Sequence, residues 1–86
     1  MARDSSGARN NLALAYAAAG DFPRARQELE LSTGAALAQY NVGILYLADR
    51  QFDKAIAAFN AAARLKPHFE RAEARALQAR AIADGE

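Results

Sequence analysis

The sequence has no cysteine, no tryptophan, one histidine and two prolines, and its formal charge is only +1. Without cysteine there can be no disulfide framework and no thiolate metal site. A single histidine, His68, cannot form a zinc-binding cluster, and with no cysteine there is no Cys/His nucleophile pair. Eleven basic and ten acidic residues nearly cancel, which argues against a nucleic-acid or membrane-surface binder held by charge. No apolar run approaches the ~20 residues that span a bilayer. The opening MARDSSGARN lacks the apolar centre of a signal peptide. The expectation is a protein that stays in the cytoplasm where it is made, or a piece of a longer chain.

The remaining candidates for chemistry are thin. Ser5, Ser6, Ser32 and Thr33 fall in a leader or at a helix stop, and none is spaced to sit beside His68. His68 follows Pro67 and reads as an exposed turn residue. Asp49 and Asp53 flank a turn, where capping is their ordinary use; a calcium loop needs several oxygen ligands at tight spacing and usually a glycine. The glycines are scattered at 7, 20, 34, 43 and 85, so no phosphate-cradling loop is present. No catalytic residue, cofactor or metal is expected.

What the sequence has in quantity is alanine, 24 of 86 residues, the strongest helix former. Apolar positions recur every three or four residues, as Leu12, Ala15, Tyr16 and Ala19 do, and there is no alternating stretch that would form a strand. The pattern predicts five helices, at about 8–19, 23–34, 36–49, 53–66 and 69–83. The breaks come at Gly20-Asp21, Ser32-Thr33-Gly34 and Pro67, and Pro23 suits a helix start because its missing N–H would be unpaired there anyway. Residues 1–7 read as a frayed leader. The fold class is all-α.

The halves repeat. LALAYAAAGDFPRARQEL from Leu12 lies over VGILYLADRQFDKAIAAF from Val42, pairing Ala13 with Gly43, Tyr16 with Tyr46, Phe22 with Phe52, Ala25 with Ala55 and Leu29 with Phe59. Every pair is offset by the same interval, 30 residues, the mark of a repeat architecture. Val42-Gly43-x-x-Tyr46, then Ala55-x-x-x-Phe59, then Pro67 resembles the tetratricopeptide repeat. The first unit, Leu12-Ala13-x-x-Tyr16 and Ala25-x-x-x-Leu29, matches less fully. The usual period of that family is 34 residues, so about one helical turn is missing between Leu29 and Ala36, and Gln39 stands where the family often has tryptophan. The resemblance implies a short right-handed α-solenoid: a hairpin at 8–34, a second at 35–67 and a capping helix at 68–86.

Such arrays line a concave face with the first helix of each hairpin, and partners lie in it. Carried onto this sequence, the inward positions are Asn10, Leu14, Ala17 and Ala18, then Leu37, Tyr40, Ile44, Leu47 and Ala48, with Val42, Leu45 and Tyr46 turned to the hairpin core. Val42 to Ala48 carries no charge, so this helix is apolar on two sides, and exposed apolar patches mark binding sites. In members of the family that grip a carboxylate, an asparagine and two basic residues match Asn41, Arg71 and Arg75, whereas the two clamp positions of the first unit are Asn10 and Leu14. Glu70 and Glu73 lie beside those arginines and could pair with them. The expected function is a non-catalytic module binding a protein or peptide, without nucleic acid or membrane insertion. The alternatives are a structural role in which the same face makes a homodimer, a face covered by the chain's own fifth helix, and a fragment of a larger repeat protein. The alanine- and arginine-rich usage suggests a bacterial source, where such repeats serve secretion or pilus assembly.

Overall fold

The computed structural model describes residues 6–85. Five helices follow one another: α1 (Ser6–Ala18), α2 (Phe22–Thr33), α3 (Ala35–Ala48), α4 (Phe52–Leu65) and α5 (Glu70–Gly85). Among the described residues there is no strand. α1 starts two residues before the expected position and takes in Ser6 and Gly7; the rest of the leader, residues 1–5, lies outside the described residues. α1 packs on α2, α2 on α3, α3 on α4 and α4 on α5. The result is an all-α solenoid of two helical hairpins and a closing helix.

Local chemistry sets the helix ends. Asp21 caps α2 by accepting a bond from the Arg24 amide at 3.3 Å, with Pro23 in the first turn. Gly34, at φ 88°, is the whole link between α2 and α3, which is where the missing turn of the first unit has gone. Asp53 in the first turn of α4 and Arg64 in its last both suit the helix dipole.

The two hairpin turns close identically. Gly20 donates to Ala17 and Asp21 to Tyr16; thirty residues on, Arg50 donates to Leu47 and Gln51 to Tyr46. Gly20 holds the left-handed conformation at φ 85°, but Arg50 holds it at φ 60° with a side chain, as does His68 at φ 62° after α4. A non-glycine residue there costs about 1–2 kcal/mol. His68→Gly is therefore expected to raise stability by about 1 kcal/mol in urea denaturation. Arg50→Gly should gain less, because the Arg50 guanidinium lies 5.3 Å from the Phe52 ring centre and that contact would be lost.

The interior is a row of small clusters in which each element packs on its neighbours, as repeat stacking requires. In the first hairpin Ala13, Ala25 and Leu29 pack with Ala38 of α3. Between the hairpins Phe22, Val42 and Ala58 meet, and the Phe22 ring stacks on Tyr46 at 4.4 Å. Val42 and Tyr46, assigned by sequence to their own hairpin, thus serve α2 as well. In the second hairpin Phe59 is wholly buried, and a Cβ on Gly43 would lie 2.7 Å from its ring. Where the filling residue is the smaller Leu29, the matching position can be Ala13. α5 closes the row with Ala72, Ala76 and Ala79 against Tyr40, Phe59 and Phe69.

Candidate functional site

The Cα atoms span 49 × 30 × 14 Å. Two helix layers 8–10 Å apart, each with a Cα radius of about 2.3 Å, account for roughly 14 Å of thickness. No third layer covers the faces of the described residues. α1, α3 and α5 therefore share one broad, open face.

That face carries separate hollows. Between α1 and α3 lies one of about 240 Å³, lined by Asn10, Ala13, Leu14, Asn41, Ile44 and Leu45, with Leu29 behind. Leu14 is 55% exposed, and the Asn10 amide is tied to α2 through the Ser32 hydroxyl at 3.1 Å. Farther along α1 a second hollow, about 280 Å³, contains Leu14, Ala17, Ala18, Leu45 and Ala48. Between α3 and α5 a third, about 270 Å³, is formed by Tyr40, Arg71, Ala74, Arg75 and Gln78. Each is below the ~300 Å³ at which whole small-molecule sites begin. They fit single side chains.

The third hollow is cationic. Arg71 lies 5.4 Å above the Tyr40 ring, and Arg75 Nε donates to the Tyr40 hydroxyl at 3.4 Å. The ion pairs of the described residues are Arg9–Glu28, Arg24–Asp21 and Arg26–Glu30; none takes Arg71 or Arg75. The pairing of those arginines with Glu70 or Glu73 that sequence allowed does not occur.

The expected groove residues are thus divided. Asn10, Leu14, Asn41 and Ile44 come together in one hollow, Leu14 and Ala17 in the next, and Tyr40, Arg71 and Arg75 in the third. Tyr40 departs from its assignment. It is 8% exposed, its ring held 5.7 Å from Phe59 and 5.2 Å from Phe69, because α5 folds back over the start of α3. Leu37 and Leu47 are half-buried against the same cluster and line none of these hollows. Ile44 and Leu47 are not enclosed, so α5 leaves part of the α3 face open.

Sequence reasoning missed that Leu45, which packs on the core as expected, also lines two of the hollows, and it missed Gln78. The second was recoverable, since Gln78 lies three residues after Arg75 on the same helical face. It also missed a hollow of about 490 Å³ that α2 and α4 flank over Val42 and Tyr46.

Among the described residues no helix is long and apolar enough to cross a membrane, and no three His, Cys, Asp or Glu side chains gather as a metal site. In comparisons with known proteins, residues 36–69 match the tetratricopeptide repeat family. No curated protein and no solved structure matches. The matched stretch is the second hairpin with Phe69; the shortened first hairpin lies outside it.

Proposed function

The chain is a tetratricopeptide-like repeat protein, and on that premise we propose that it is a non-catalytic interaction module that holds a peptide segment of a partner protein across α1, α3 and α5. One observation carries the reading: side-chain-sized hollows, apolar at one end and cationic at the other, follow one another along a face that no layer of the described residues covers. Apolar side chains of the ligand enter between α1 and α3 beside Leu14 and Ile44. An acidic residue or chain terminus meets Arg71 and Arg75, whose forked donors match a carboxylate.

The test is selection of displayed peptides on the immobilised protein, repeated with Ile44→Arg. Ile44 is half-buried on the hollow's wall, and a long side chain there can reach solvent, so the far-UV helical signal should survive. Enriched peptides should join an apolar residue to an acidic one, and their affinity should fall at least about tenfold in the variant, an interaction change of 1.4 kcal/mol or more. Equal binding by the variant would remove the groove.

Self-association is the second reading, favoured by Leu77 at 71% and Leu12 at 42% exposure. Light scattering across micromolar concentrations separates the two: a mass that stays at one chain ends the dimer reading.

A further inference from the structure

We propose that Tyr40 is the positioning residue of the cationic hollow: its buried ring carries Arg71 and its hydroxyl holds Arg75, so that the two guanidiniums form a preset seat for a planar carboxylate. This rests on the groove reading above, and deepens it by naming what presets the arginines.

The ring is the fixed part. Phe59 and Phe69 pack against it at 5.7 and 5.2 Å, and a tyrosine whose ring is held has its hydroxyl oxygen held too. The Arg71 guanidinium lies over both the Tyr40 and Phe69 rings, at 5.4 and 6.0 Å. A guanidinium over an aromatic face keeps its in-plane N–H donors available at its edge. Arg75 is fixed at two points, Nε on the Tyr40 hydroxyl at 3.4 Å and Nη1 on Gln78 Oε1 at 3.0 Å. Of the five donors of a guanidinium, two are spent on orientation and three remain.

Arg71 and Arg75 differ from the ion-paired arginines in having no acid of this chain, and from Arg64 and Arg80, which also form no ion pair among the described residues, in sharing one hollow. Arg9, Arg24 and Arg26 each have a carboxylate of this chain within 3.4 Å. Arg71 and Arg75 have none among the described residues and rest on neutral groups instead. Ala74 leaves space between them in the hollow. A charge pair held on an aromatic support, with donors unused and no acid of its own, is complementary to an acid from outside. Because the donors are planar forks, a flat carboxylate is favoured over a tetrahedral phosphate.

The experiment follows the arginine Nε–Hε signals of the whole chain by NMR while sodium acetate, sodium phosphate or sodium chloride is added at matched ionic strength. In the wild type, the Arg71 and Arg75 signals should shift with acetate and saturate, with smaller responses to phosphate and chloride. Tyr40→Phe keeps the ring under Arg71 and removes the acceptor of Arg75. It should move the Arg75 signal at once and weaken acetate several-fold, with the melting temperature nearly kept. Arg75→Lys, which leaves the core untouched, keeps the charge but loses the fork, and should weaken acetate to a similar degree. The proposal is overturned if Tyr40→Phe leaves both the Arg75 signal and the acetate response unchanged, or if phosphate outcompetes acetate. Loss of peptide binding in Ile44→Arg with no effect of Tyr40→Phe would leave the groove standing and sink this proposal; the reverse pattern would sink the groove and leave the seat.

Discussion

Phe59→Ala should cost about 4 kcal/mol, the range for emptying a buried aromatic site. A chain of this size has roughly 4–13 kcal/mol to lose, so this one change removes about a third of the stability at the upper end of that range and nearly all of it at the lower end. The position explains the size. Phe59 is 0% exposed, covers Gly43, lies 5.7 Å from the Tyr40 ring, and shares its cluster with Phe69, Ala72 and Ala76 of the closing segment. Removing it loosens α3, α4 and α5 together. α2 meets the second hairpin through Val42 and Tyr46 of α3 and Ala58 of α4, so damage there also weakens the support of the first hairpin. Urea denaturation followed by circular dichroism checks this, and a loss under about 1 kcal/mol would mean that the hairpin does not close on this ring.

Gly43→Leu should cost about 3 kcal/mol, from overpacking rather than from a void. The first added atom already meets Phe59 Cε1 at 2.7 Å and Cδ1 at 2.8 Å, and the ring is enclosed and cannot swing into solvent. Gly43→Ala isolates that clash. Alanine would gain up to about 1 kcal/mol in helix propensity, so a net loss in this variant measures the contact itself. The chain supplies its own control, since Ala13 sits opposite Leu29 in the first hairpin. Adding Phe59→Leu to Gly43→Ala should therefore cost less than the two single changes summed, and a double-mutant cycle in the same denaturation assay would give a favourable coupling. Additive costs would contradict the register.

The helix boundaries were legible to within two residues at most ends because what stops a helix is local. Asp21 caps it, Pro67 cannot continue it, and Gly20 and Gly34 take positive φ. The repeat was legible because hairpin crossing demands particular sizes in particular places, and Gly43 with Phe59 or Ala13 with Leu29 records that demand in the letters. The second role of Leu45, in lining the open face, was hidden for the opposite reason. Leu45 lies on α3 between the two hairpins, packing against both the first cluster and the one around Phe22, and a pattern read within one hairpin cannot show what the neighbouring hairpin presents.

The sequence alone determined the all-α class, the two hairpins, the small-against-large pairs at their crossings and the absence of a Cys/His reactive centre, since each depends on residue type or on spacing along one or two helices. Only the tertiary structure decided that Tyr40 turns inward, that Arg71 and Arg75 rest on its ring and hydroxyl rather than on Glu70 or Glu73, and that the open face is divided into separate hollows. Those outcomes depend on where α5 lies across α3. That angle is set by the summed packing of Phe69, Ala72, Ala76 and Ala79 on side chains distant in sequence, and no local spacing encodes it.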